Sequence, residues 1–148
     1  PELDQIKGGL SSHKSVVIFG STIIRKELRA TPRKIKAGGS NLRIDLLSLY
    51  DELVRDRTLE IERQTKEIAA HYYLAYRELG GSKGKNEMTN DLIIVACASL
   101  KGLDIVVSQD ESSLKAENSL KAYTLINAIK NIRNPNFISY REFKLLLR

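Results

Sequence analysis

Tryptophan is absent from this sequence, and aromatic residues of all kinds make up only 6% of it. That scarcity argues against an open platform on which successive bases of a single strand would stack. Cysteine occurs once, at Cys97, so no internal disulfide can form. Cys97 lies in an apolar helical pattern and reads as a small buried core residue, with reducing cytoplasm as the expected compartment. One cysteine and two widely spaced histidines, His13 and His71, cannot assemble a zinc site. Long apolar runs are missing as well: LIIVACASL is well short of a membrane span. No charged segment followed by an apolar one marks the amino end as a signal peptide, and there is no internal repeat or low-complexity stretch.

What is present describes one ordinary globular core. The 148 residues suffice for a single domain, 1–148, and are too few to expect two. Apolar residues at 42% and charged residues at 28% fit a folded, water-exposed protein. The net charge is +6, and the excess is local: Arg25, Lys26, Arg29, Arg33, Lys34, Lys36 and Arg43 fall in one short stretch. Such a run is either a solvated helix face followed by a loop or a grip for phosphates, and RNA is the commonest polyanion to grip.

Along the chain, strand-like and helical patterns alternate. Pro1 to His13 reads as a frayed helix or loop. Ser15 to Gly20 (SVVIFG) is a continuous β-branched and aromatic run, as in a strand buried on both faces. Ser21 and Thr22 cap the helix TIIRKELRA, which Pro32 stops, and PRKIKAGGS is a loop. Ser40 is expected to cap the helix carrying Leu42, Ile44, Leu46, Leu47, Leu49, Tyr50 and Leu53, with a short strand following near Leu59 to Ile61. Glu62 to Leu79 is the longest helical pattern, ended by Gly80-Gly81, and SKGKNEM is a polar linker.

Thr89 opens the next expected helix, which runs to Leu100 and is closed by Gly102. Asp104 to Ser108 is a second buried strand, and the turn QDESS leads to a helix through about Ile132. Asn134-Pro135-Asn136 is a turn and FIS a short strand. Ser139 with Glu142 forms a capping box for YREFKLLLR. The alternation predicts an α/β fold, a three-layer α/β/α sandwich around a small, mainly parallel sheet.

Three carboxylates fall where such a sheet places its ligands, at the carboxyl ends of the strands. Glu27 lies in the helix after SVVIFG, Asp91 in the expected first turn of the helix before DIVVS, and Asp110 just past DIVVS. Acids gathered there repel one another unless they hold a hard cation such as Mg²⁺ or Mn²⁺. Each also has an ordinary structural use. Asp91 would complement a helix dipole, Asp110 would form a turn, and Glu27 would pair with neighbouring cations. Glu111 is a further candidate ligand or a solvated turn residue, and His71 beside Tyr72 and Tyr73 reads as a packing or dimer-contact residue.

The run TNDLIIVACASLKGLDIVVSQD resembles the carboxyl-terminal half of the PIN-domain signature. There an acid opens a helix of small and apolar residues, a glycine ends it, and a strand delivers Thr/Ser-x-Asp. The matching positions are Asp91, Gly102, Ser108 and Asp110. VVIFGSTIIRKELR is similar to the family's earlier block, with Glu27 as its acid, and NPNFISYREF to the closing strand and helix of some members.

The resemblance implies a metal-dependent endoribonuclease of the VapC toxin type. Glu27, Asp91 and Asp110 would be its catalytic ligands for Mg²⁺ or Mn²⁺, with Ser108 in support. Its RNA would be gripped by Arg25, Lys26, Arg29, Arg33, Lys34 and Lys36. A homodimer and a cognate antitoxin protein are the partners implied, with no membrane. One departure stands out: the family's first acid sits on an opening strand of the type Leu-Asp-Thr/Ser-Asn, which is expected upstream of Pro1. Asp4 is a poor substitute, because no β-branched run precedes it. A catalytically degenerate PIN module for RNA binding or assembly is the alternative.

Overall fold

The computed structural model describes residues 4–5, 8–9, 16–32, 36–37 and 40–147, with the backbone alone at 36, 37 and 40. It is a mixed α/β chain in which helices dominate and strands are two or three residues long. The chain divides into two compact units, Ile18–Glu62 and the combination of Pro1–Val17 with Arg63–Arg148.

The smaller unit begins with strand β1 (Gly20–Ser21), which runs directly into helix α1 (Thr22–Arg29). Ser21 caps that helix, its side chain accepting from the Ile24 N–H at 3.2 Å. An antiparallel pair follows, β2 (Lys36–Ala37) with β3 (Ser40–Asn41). Helix α2 (Leu42–Val54) and strand β4 (Thr58–Leu59) complete the unit. The cap of α2 is Asn41 rather than the expected Ser40, because its Oδ1 accepts from the Ile44 N–H at 3.4 Å. β1 pairs with β4 in parallel, Gly20 opposite Thr58 and Ser21 opposite Leu59. Tyr50 locks this pair: its hydroxyl donates to the Ser21 carbonyl at 3.2 Å and lies 2.9 Å from Thr58 Oγ1. Its ring fills the space that a Cβ at Gly20 would need. Arg57 adds bonds to the carbonyls of Ile18 (2.8 Å) and Leu53 (2.9 Å).

The larger unit is built on helices α3 (Arg63–Glu78), α4 (Lys85–Leu100) and α5 (Glu117–Ile129), with α6 (Tyr140–Leu146) at its end. Helix α3 packs on both α4 and α5. Tyr72, Met88, Val95, Ala96, Ala122 and Tyr123 are completely buried there. The small residues Ala96, Cys97, Ala98 and Ser99 keep α4 thin enough to be enclosed on nearly every side. Tyr72 meets Tyr123 edge to face at 5.0 Å, and Tyr123 stacks on Phe137 at 5.2 Å. The Tyr72 hydroxyl is satisfied in this apolar setting by Asn127 Oδ1 at 2.5 Å, with Ser99 Oγ 3.1 Å away. Cys97 is a buried free thiol.

Strands β5 (Ile105–Val107) and β6 (Asn136–Ile138) pair in parallel on either side of α5. The three long helices end alike. At Gly80 (φ 100°), Gly102 (φ 66°) and Asn131 (φ 56°) the chain turns left-handed. The next N–H then reaches back to the third-last helical carbonyl, as in Gly81 to Tyr76 at 2.8 Å. The capping box at Ser139 and Glu142 is formed, with bonds of 3.0 and 3.2 Å. Helix α5 stops at Ile129, short of Ile132, because Asn131 supplies this stop.

Two further expectations need correction. SVVIFG is not a long buried strand: of its described residues, 16–20, only Gly20 is paired, and Val17 and Phe19 are 53% and 40% exposed. Its partner limits it: in the parallel register Ile18 and Phe19 would oppose Asp56 and Arg57, which lie in the turn between α2 and β4. Helix α4 opens at Lys85, not Thr89, so half of the expected linker is helical. Gly84 turns into it, and Glu87 Oε1 accepts the Gly84 N–H at 3.4 Å. Among the described residues no helix is long and apolar enough to cross a membrane.

Candidate functional site

The earlier start of α4 changes the meaning of Asp91. It falls in the second turn of the helix, where the free N–H groups of the helix start are out of reach. The first-turn acid is Glu87, so Asp91 is not serving as the helix cap. Asp91 is instead half-buried, and the Ser113 hydroxyl donates to its Oδ2 at 2.5 Å. Burial pushes its carboxyl up from the ordinary value. The charge of Asp110 adds to this, while the Ser113 bond and the Lys83 charge oppose it.

Asp110 follows β5 and organises the turn beyond it. Its Oδ1 accepts from Ser112 N–H (3.0 Å), Ser112 Oγ (3.0 Å) and Ser113 N–H (2.9 Å). Its own N–H donates to Ser108 Oγ at 3.0 Å, and its carbonyl takes the Lys115 N–H at 2.8 Å. Partial burial pushes the Asp110 carboxyl up, but these donors, with Lys83, outweigh it and hold the group below its ordinary value.

Ser113 therefore joins the two acids, its N–H to Asp110 and its hydroxyl to Asp91, while being almost fully buried. Ser119 Oγ holds the Ser113 carbonyl at 2.6 Å from the other side. No donor among the described residues reaches Asp91 Oδ1 or Asp110 Oδ2. Each acid therefore keeps one oxygen without a donor among the described residues. Lys83 flanks the acids, its Nζ 3.3 Å from Ser112 Oγ. Tyr123 beneath is a neutral phenol, pushed up by burial and the Asp91 charge, and donates to the Leu114 carbonyl at 2.8 Å.

Glu27 is exposed on α1, in the smaller unit. Arg25 on the same helix is tied to Asp51 by two bonds of 3.0 and 3.1 Å, which leaves Lys26 and Arg29 as the exposed cations of α1. Arg33 and Lys34 lie outside the described residues, as does His13, and Lys36 is described in its backbone alone. Glu111 pairs with Lys115 at 2.9 Å, and His71 makes no hydrogen bond to either acid. Among the described residues no three His, Cys, Asp or Glu side chains form a group able to cage a metal ion.

Lys83, Ser112 and Ser113 carry no motif that singles them out as site residues, and the sequence places them only in a polar linker and a polar turn. The serines had a local signal, since Asp-x-Ser-Ser is a turn in which the acid accepts from the following N–H groups. Lys83 had none, because its position depends on the tyrosines of α3. Comparison with known proteins found no match for the chain, either to a family model, to a curated protein or to a solved structure.

Proposed function

We propose that this chain is a PIN-like, Mg²⁺- or Mn²⁺-dependent endoribonuclease of the VapC toxin type, with Asp91 and Asp110 at its centre. The observation that carries the reading is the Ser113 bridge, which holds two acids together past the carboxyl end of a parallel strand. On each acid one oxygen has no donor among the described residues. The donor set fits a hard cation, because Mg²⁺ is typically held by one or two carboxylates with water and substrate oxygens filling the rest. A divalent cation bound there supplies charge neutralisation for a phosphodiester and lowers the pKa of its water.

The chain's own residues do the positioning. Ser113 sets the spacing of the acids, and the two Ser112 donors keep Asp110 ionised. Ser108 anchors the backbone from which Asp110 projects. Lys26 and Arg29, exposed on α1, keep their proposed role as phosphate contacts from the charge of their stretch alone. Glu27 enters as a third ligand through the sequence resemblance alone, as do the three-layer sandwich, the homodimer, the antitoxin partner and the cytoplasmic compartment.

The test is RNA hydrolysis by the whole chain, in Mn²⁺ against EDTA, comparing wild type with Asp91→Asn. Cleavage should need the metal and should fall by more than about 100-fold in the variant, beyond the loss typical of a merely supporting residue. Cleavage indifferent to both changes would sink the mechanism. RNA binding without cleavage would favour the degenerate module.

A further inference from the structure

Lys83 lies in a segment that composition marks as a plain polar linker, yet its backbone is held from two sides. The Tyr76 hydroxyl accepts the Lys83 N–H at 3.1 Å, and the Tyr73 hydroxyl donates to the Lys83 carbonyl at 3.2 Å. Two residues earlier, Gly81 lies flat against the Tyr76 ring, where any Cβ would collide with it, and Arg77 Nη1 binds its carbonyl at 3.1 Å. A free linker needs none of this. The segment is moulded onto α3, and the side chain it delivers points at the acid turn.

The ammonium of Lys83 stops one hydroxyl short of the acids. Its Nζ is 3.3 Å from Ser112 Oγ, which itself donates to Asp110 Oδ1 at 3.0 Å. Among the described residues Lys83 forms no ion pair with any carboxylate. A lysine whose task was to neutralise Asp110 would contact it directly. Here the ammonium keeps donors for another partner while its field still reaches both acids.

We propose that Lys83 is the substrate-phosphate contact of this site, donating to a non-bridging oxygen of the RNA backbone beside Asp91 and Asp110. The inference rests on the phosphodiester reading above, and charge balance supports it. Two carboxylates and one divalent cation sum to zero and have no net attraction for a phosphodiester. Adding the lysine leaves one positive charge, which matches the single negative charge of the backbone phosphate. The compact ammonium suits this role as a point charge.

The test uses the whole chain as wild type, Lys83→Met and Lys83→Arg. Binding of an end-labelled single-stranded oligouridylate is read by fluorescence anisotropy in Ca²⁺, and Mn²⁺ binding by electron paramagnetic resonance. Lys83→Met should weaken RNA binding by about 10- to 100-fold, the scale of one charge-assisted hydrogen bond. Lys83→Arg should restore most of it. Mn²⁺ affinity should stay level or rise in Lys83→Met, because a neighbouring positive charge has gone; a misfolded site would lose metal and RNA together. Unchanged RNA binding in Lys83→Met overturns the proposal, and so does a parallel fall in Mn²⁺ affinity. Lys83-dependent binding by a wild type that does not cleave in Mn²⁺ would sink the nuclease reading and leave the phosphate contact standing. A wild type that binds no RNA would overturn both.

Discussion

Each unit contains one parallel pair of strands, yet the two pairs lead to different chemistry. In the smaller unit β1 feeds α1 without a gap, and the polar side chain at the strand's end, Ser21, is consumed in capping the helix. In the larger unit β5 opens into the turn from Ser108 to Lys115 before α5 begins. There the polar side chains converge on Asp110 and, through Ser113, on Asp91. The strands are equivalent; the connection decides which one carries a candidate site. A helix starting at once needs capping, whereas a turn has unpaired N–H groups that an acid can gather.

The units differ in anchorage too, and that contrast can be broken by mutation. The largest effect is expected at Tyr123, completely buried between Tyr72 and Phe137. Tyr123→Ala should cost about 3–5 kcal/mol, the range for emptying a large aromatic site, as read by urea unfolding. Its counterpart Tyr50→Phe keeps the ring against Gly20 and loses only the hydroxyl bonds to Ser21 and Thr58. That should cost about 1 kcal/mol. Equal losses would mean that the smaller unit depends on this hydroxyl as much as the larger depends on its aromatic cluster.

A smaller effect, of opposite sign, is expected at Asp91. Its folded-state pKa is raised, chiefly by burial. Such a group favours the fold below its unfolded pKa, and that advantage is lost as pH rises through the folded value. At neutral pH without metal the charged carboxylate therefore disfavours the fold. Asp91→Asn, which can still accept from Ser113, should raise the thermal midpoint at neutral pH. The gain should shrink as pH falls toward the carboxylate range. Mn²⁺ should raise the midpoint of wild type and leave that of Asp91→Asn nearly unmoved. A variant less stable than wild type at neutral pH would show that Asp91 is a structural acid.

The smallest effect belongs to Arg25. Its pair with Asp51 is exposed, and the partners shift one another's titration through a surface hydrogen bond. Exposed pairs add little to stability and are screened by salt. Arg25→Ala should leave the unfolding midpoint unchanged at high salt. A clear loss surviving there would show that the α1–α2 contact depends on the pair.

Much of this protein is decided by residues a few positions apart. The stops at Gly80 and Gly102 follow from left-handed backbone that glycine adopts without penalty. The Ser139 and Glu142 box and the Ser21 cap need only a side chain three residues from its partner. The helical periodicities of α2, α3 and α4 are equally local, which is why those helices were legible within a few residues. The start of α4 was misplaced because Gly84 and Glu87 make a weaker sequence signal than Thr89. That error moved Asp91 into a first turn it does not occupy.

Tertiary structure alone decided the rest. Strand length depends on what the partner strand offers, so SVVIFG could not announce that, of its described residues, only the last glycine would pair. The link from Ser113 to Asp91 spans 22 residues of chain, and it exists because α4 and the Asp110 turn pack together. Lys83 reaches the same turn only because Tyr73 and Tyr76 hold its backbone against α3. Sequence by itself determined which acids were available and where the helices end, because those properties are local. Which acids would share a serine, and which lysine would stand beside them, depended on packing between segments distant in the chain.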